Sequence, residues 1–394
     1  MVTPVTYKSL WIQILLISII GYGGGAAVIP LFHKVFVKEK KWFNEEDFQN
    51  ILTVSNTLPG PIQTKIAGYI GYKTKGLIGL ILSVITIISP SLFLMLLFFE
   101  TIKRFQYEPW INGSISGIYP VITVMMGLLV FQFAVRSIKK IQWKSLIVIL
   151  LIDLFALYLL QIHPAWLIFI TMITSFLYRF KESLRFSIIL TFILIIYVIQ
   201  TYVSINFMSF NMRNIDSLSE PLKLIIAFII PGSIGYGGGP GSLSLISYEV
   251  VEHFNLVSAS DFGLSVAIQS ALPGVTATKL AGTIGFQVFG ITGLLLSILA
   301  YVLPSLTLMI ILLNLLNKYK NHPVVNLMTS LLTPIIMLLL FNLVLNFYAL
   351  SINNHGYFIA LLFMISAFLV IKVLKVHPFF VIILFMTLGG IISL

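Results

Sequence analysis

Five residues, Gly21-Tyr22-Gly23-Gly24-Gly25, return as Gly235-Tyr236-Gly237-Gly238-Gly239, and the offset of 214 positions (21 to 235) holds through the rest of the chain. Asp47-Phe48 falls on Asp261-Phe262, Leu58-Pro59-Gly60 on Leu272-Pro273-Gly274, and Thr64-Lys65 on Thr278-Lys279. Ala67-Gly68 falls on Ala281-Gly282, Ile70-Gly71 on Ile284-Gly285, Pro90-Ser91-Leu92 on Pro304-Ser305-Leu306, and His163-Pro164 on His377-Pro378. The chain is a tandem duplication, and most of the matched residues break helices. Breaks repeated in two apolar copies restrict the fold sharply, because non-helical backbone at membrane depth must be covered by protein or line a cavity.

The apolar character is not in doubt. With 58% hydrophobic and 9% charged residues and a mean hydropathy of +1.03, the chain falls far from soluble domains, where about a quarter of residues are charged. Stretches of the ~20 residues needed for one crossing recur, as at Gly76–Phe99, Ile111–Phe133 and Phe186–Phe207. The first ten residues lack a basic region followed by a small-residue cleavage site, so no signal peptide is expected. There is no cysteine, which excludes disulfides and thiolate metal sites. The net charge of +11 sits in short loops between apolar spans. It is read as a positive-inside bias and not as a nucleic-acid footprint.

Repeat one covers residues 1–180 and repeat two 222–394, with 181–221 between them. That connection holds a basic loop, one extra spanning helix at Phe186–Phe207 and a polar linker, Asn211–Pro221. One extra crossing turns the second repeat over if each repeat crosses an even number of times. Charge supports this. Lys34, Lys38, Lys40, Lys41, Lys73, Lys75, Arg136, Lys139, Lys140 and Lys144 have no basic equivalent among the matched positions, which run from Tyr248 to Phe358. Conversely, Lys372 and Lys375 replace Tyr158 and Gln161, and among these loop charges Arg104, matched by Lys318, is the exception. The expected fold is therefore an all-α polytopic membrane protein with two inverted-topology repeats.

Each repeat also has an internal break. The loops at Lys38–Lys41 and Lys73–Lys75 are both basic and should share a side, yet Leu58-Pro59-Gly60-Pro61 lies midway between them. Proline lacks an amide donor and glycine weakens a helix. Two limbs of about a dozen residues, at ~1.5 Å each, cross only part of a ~30 Å core. This predicts a re-entrant hairpin with its tip at residues 59–61. Leu10–Val37 has the same design around its glycines and reads as a second hairpin or as one broken crossing.

Helices restarting after breaks expose free amides and about half a positive charge, which favours anions. The candidate substrate-binding residues are Gly23, Gly24, Gly25, Gly60, Gln63, Thr64 and Lys65 in the first copy. In the second they are Gly237, Gly238, Gly239, Gly274, Thr278 and Lys279. A lysine inside a bilayer is costly and usually functional, although snorkelling, or pairing with Asp47 or Asp261, would also account for Lys65 and Lys279. Asn56 and Ser270 could add polar groups. Asp47 and Asp261 read as helix-start stabilisers, and Gly68, Gly71, Gly282 and Gly285 as close packing points. Asp153, whose counterpart is Ala367, reads equally as a proton-coupling or a structural acid. His163 and His377 precede prolines and read as caps, with metal binding the alternative; His33 and His322 show no ligand spacing. Gly21–Gly25 has no Gly-Lys-Ser/Thr continuation, so it is not a nucleotide loop.

Several stretches resemble the chromate ion transporter family in its two-domain form. They are Gly23-Gly24-Gly25 with Val28-Ile29-Pro30, the segment KKWFNEEDF from Lys40 to Phe48, Pro59-Gly60-Pro61, GYIGY from Gly68 to Tyr72, and Pro90-Ser91. The second copy departs at Val275 and Leu256. The resemblance implies transport of chromate, generally efflux, with sulfate as a related oxyanion. The expectation is a multi-pass secondary transporter in the cell membrane, working by alternating access between the repeats. Its partners would be a small inorganic oxyanion and the lipid bilayer, with no nucleic acid, no cofactor and no metal; a homodimer is left open. The alternatives are an anion channel, an organic-acid carrier or an intramembrane enzyme acting on a lipid phosphate. The last would need a nucleophile or acid–base pair beside the breaks, and the sequence offers no repeated one.

Overall fold

The computed structural model describes residues 5–21, 28–105, 108–175, 218–235, 239–319, 323–376 and 378–392, with 191 and 193. The extra helix expected at Phe186–Phe207 and most of the polar linker lie outside these residues. All regular structure among the described residues is helical. The first copy contains α1 (Tyr7–Ile20), α2 (Ile29–His33), α3 (Glu45–Thr57), α4 (Ile62–Arg104), α5 (Pro109–Ser116), α6 (Ile118–Lys140), α7 (Trp143–Leu154) and α8 (Pro164–Thr174). The second contains α9 (Glu220–Ile234), α10 (Gly239–Ser247), α11 (Ala259–Ala271), α12 (Thr276–Tyr319), α13 (Pro323–Phe368) and α14 (Pro378–Ile392).

The duplication reaches the backbone conformation. The wide π-helical turns Lys34–Glu39 and Phe155–Leu159 recur as Tyr248–His253 and Leu369–Val373. The non-glycine residues with positive φ are Lys41 and Gln161 in one copy and Asn255 and Lys375, their equivalents, in the other. Gly60 and Gly76 pair likewise with Gly274 and Gly290. Helix starts match as well: Asn44 Oδ1 accepts the Asp47 amide at 2.7 Å and Ser258 Oγ accepts the Asp261 amide at 3.1 Å. Both aspartates thus stand in the first turn of capped helices, where negative charge is favoured.

The long helix α4 is not one rod. Lys75 and Gly76 leave helical geometry, and the chain folds back there. A Cβ built on Gly71 would meet the Gly79 carbonyl oxygen at 2.2 Å, an approach that residues eight apart in a straight helix, ~12 Å along its axis, cannot make. Phe289 and Gly290 turn α12 in the same way, and Gly285 approaches Gly293. The limb before each turn is about 13 residues, ~20 Å, too short to cross a bilayer. With α3 it forms the expected helical hairpin around Pro59–Pro61.

Among the described residues, four stretches are long and apolar enough to cross a membrane: Ile62–Thr101, which includes that short limb, Pro109–Lys139, Thr276–Ile311 and Ser330–Val373. Their outward residues, such as Ile78, Phe93, Ile291 and Leu303, are exposed and apolar, as a lipid-facing surface requires. The chain is an all-α, multi-pass membrane protein. Inside it, α4 packs on α12 and α6 on α13, so the two copies share one core. Each pre-break limb reaches across that boundary, α3 to α12 and α11 to α4.

Candidate functional site

The breaks of the two copies meet. The Gly60 amide donates to the Gly235 carbonyl at 2.8 Å, and the Gly274 amide donates to the Gly21 carbonyl at 2.8 Å. The tip of each hairpin is therefore hydrogen-bonded to the glycine-rich break of the opposite copy. Gly60 and Gly274 have φ of 93° and 98°, a left-handed region that favours glycine. Each is also crowded by the helix that follows the hairpin in the other copy: ideal Cβ atoms would lie 2.6 Å and 2.4 Å from the Cβ atoms of Ser305 and Ser91. Within the second copy, a Cβ on Gly239 would lie 2.7 Å from Thr276 Oγ1, so its two breaks also touch. Gly23, Gly24, Gly25, Gly237 and Gly238 lie outside the described residues.

Beyond each tip the helix restarts with its amides free. The first backbone bonds run from the Lys65 amide to the Pro61 carbonyl (3.1 Å) and from the Lys279 amide to the Val275 carbonyl (3.0 Å). The amides at 62–64 and 276–278 consequently have no acceptor inside their own helices. The amides of Gly60 and Gly274 themselves are taken by the opposite copy.

Lys65 and Lys279 are fully buried. Lys65 Nζ donates to the Leu58 carbonyl and to that of Pro59 (3.1 Å). Lys279 Nζ donates to the carbonyls of Gln269 (3.0 Å), Leu272 (2.9 Å) and Pro273 (3.0 Å). Neither snorkels, and neither joins an ion pair among the described residues. Each ammonium group instead binds the carbonyls that the broken helix end leaves unpaired. Sequence reasoning weighed anion contact, headgroup and aspartate for these lysines, and it missed the backbone.

Buried polar atoms without partners gather at the same breaks. Thr64 Oγ1 and its equivalent Thr278 Oγ1 have none among the described residues, and neither does the Gln63 amide group. Ser55 Oγ and Gln269 Oε1, which occupy equivalent positions on α3 and α11, are also without one. Buried polar groups are normally satisfied, so these orphans, beside two buried lysines without an acidic partner among the described residues, single out the breaks as the candidate site. Ser55, Gln269, Ser91 and Ser305 were not among the expected site residues. The repeat of Pro90-Ser91 as Pro304-Ser305 was the signal for the last two.

The other candidates fall elsewhere. Gly68 packs on Leu306 and Gly282 on Leu92 of the opposite copy, as packing points should. Asp153 is buried on α7, and its Oδ2 has no partner among the described residues. His163 does cap α8, its Nδ1 accepting the Ala165 amide at 3.2 Å. His33 contacts Glu45 at 2.8 Å; hydrogen bonds first from Lys38 and then from His33 hold that exposed carboxylate below its ordinary pKa. His322 and His377 lie outside the described residues.

Comparison with known proteins divides the chain into the same two halves. The sequence profile described as chromate transporter matches residues 8–176 and again 222–391. The chain belongs to the chromate transporter family. It is similar to the uncharacterized transporter YwrA of Bacillus subtilis, 39% identical over 169 residues, which are 43% of this chain and 93% of that protein. Its likeness to YwrB of the same organism is 32% over 179 residues, 45% of this chain and 91% of the relative. The chromate transport protein of Cupriavidus metallidurans is 21% identical over 325 residues, covering 81% and 77% of the two chains. No solved structure matches significantly.

Proposed function

We propose that the chain is a secondary transporter of a small inorganic oxyanion, chromate or a sulfate-like dianion, bound where the breaks of the two copies meet. The observation that carries this reading is the pair of buried lysines, each held by break carbonyls and without an acidic partner among the described residues. Two positive charges in a low-dielectric interior with no counter-charge favour an anion between them. Free amides at the starts of α4 and α12, with the Thr64, Thr278 and Gln63 side chains, would supply its hydrogen bonds. A relative bearing the name chromate transport protein supports the substrate class.

The second part of the proposal is mechanism. The two copies would lie in opposite orientations and expose the shared site alternately to each side. The loss of basic loops in the second copy supports this, as do the reciprocal bonds between the breaks. Transport would be driven by an ion gradient or by the membrane potential. Radiolabelled chromate and sulfate flux in proteoliposomes, with and without a pH gradient, tests the whole reading. Saturable flux of either anion is the expected result, and its absence in folded protein counts against it.

A further inference from the structure

A second group of chemically active side chains lies away from the breaks and also joins the two copies. His163 stands just before α8 in the first copy, while Glu249 and His253 lie one turn apart on the π-helical turn Tyr248–His253 of the second. Glu249 is fully buried. Its Oε2 accepts a hydrogen bond from His253 Nδ1 at 2.9 Å. Its Oε1 lies 3.1 Å from His163 Nε2, yet neither of those two atoms makes a hydrogen bond among the described residues. The pair is close enough to attract but not aligned as a hydrogen bond, which leaves both atoms open to a shared ligand. The ligand atoms of all three residues lie within 4.8 Å of one another. The Tyr248 ring meets the His163 ring edge-on, with centroids 4.8 Å apart, and holds it in place.

We propose that His163, Glu249 and His253 form a binding site for a zinc-type divalent transition-metal ion that bridges the two copies. Two imidazoles and a carboxylate suit zinc and its neighbours, whereas magnesium and calcium prefer all-oxygen shells. Tetrahedral bonds of about 2.0–2.2 Å place ligand atoms roughly 3.3 Å apart. Each imidazole already stands near that separation from one oxygen of the carboxylate, His253 at 2.9 Å from Oε2 and His163 at 3.1 Å from Oε1. Three protein ligands leave the fourth position to water, and the partly exposed His163 and His253 rings leave a way in. Binding through His163 Nε2 moves the ring proton to Nδ1 and gives up the Ala165 contact, a long bond of 3.2 Å. The positions equivalent to Glu249 and His253 are Val35 and Glu39. The first copy cannot build the same site, which fixes the expected ratio at one ion per chain.

The test uses the purified full-length protein, stripped with a chelator. Zinc(II) is titrated by calorimetry, and cobalt(II) is added separately to report geometry by visible absorption. One zinc per chain, strong absorption of four-coordinate cobalt, and a rise in melting temperature with zinc are expected. His253→Gln, at a partly exposed position, should keep the metal-free melting temperature. It should weaken zinc binding by more than the ~10–100-fold that loss of an outer-shell partner costs. Glu249→Gln should abolish binding, and the double variant His33→Gln with Glu45→Gln should leave it unchanged. Absence of zinc uptake by the parent protein overturns the proposal, as does zinc binding by the His253→Gln protein equal to the parent's.

Discussion

Ser305 stands so close to Gly60 that a Cβ on the glycine would lie 2.6 Å from the serine's own. Gly60→Ala therefore adds a methyl group against a neighbour in the other copy, at a φ of 93° that alanine resists. Overpacking of this kind costs about 1–3 kcal/mol, and the backbone term adds roughly 1 kcal/mol. Adding Ser305→Gly should recover the first part and leave the second. Melting temperatures of the two single variants and the double variant form a cycle. Strict additivity would show that the two residues do not press on each other.

Lys65→Met and Lys279→Met each remove a charge and also strand the carbonyls of one break. An unsatisfied buried group costs about 1–3 kcal/mol, so both variants should melt lower than the parent and bind oxyanion more weakly. The double variant should lose binding altogether. Calorimetry below the lowered melting temperature separates the two effects. Unchanged anion affinity in both single variants would reduce the lysines to clamps on the broken helices.

The threonines should behave in the opposite way. Thr64→Val and Thr278→Val replace hydroxyls that have no partner with groups of nearly equal shape, so stability should hold or rise. If those hydroxyls face the anion, each change removes a hydrogen bond to a charged ligand worth about 1.5–3 kcal/mol, a roughly 10–100-fold loss of affinity. Equal affinity in both variants would move the ligand away from the two helix starts.

Cysteines placed at Lys41 and Asn255 should react with impermeant reagents from opposite faces of the membrane, the two positions being equivalent in the copies. Reaction from one common face would reject the inverted arrangement.

The hairpin around Pro59–Pro61 and the second copy's matching break at Pro273-Gly274 were legible because proline and glycine act locally, and a local cause repeated at a fixed offset is hard to mistake. The reversal at Lys75–Gly76 was partly legible, as a basic loop, since charge marks a side of the membrane even where helix-forming residues run on. What the lysines touch was not legible. Their acceptors are backbone carbonyls, which every residue carries and no residue type announces. Ser55 and Gln269 escaped notice for a related reason: they match in position but not in identity, and only the fold shows both as buried, with Ser55 Oγ and Gln269 Oε1 lacking a partner among the described residues. The crowding of Gly60 by Ser305 joins residues 245 positions apart, a distance over which no single-sequence pattern speaks.

The hairpin tips have one more consequence. Pro90 and Pro304 lie within α4 and α12 immediately before Ser91 and Ser305, the residues lodged against Gly274 and Gly60. The serine after the proline of each copy is the stop against which the other copy's tip rests. The halves are thus fastened to each other twice, once through each tip, and neither tip can shift without pressing on the other copy.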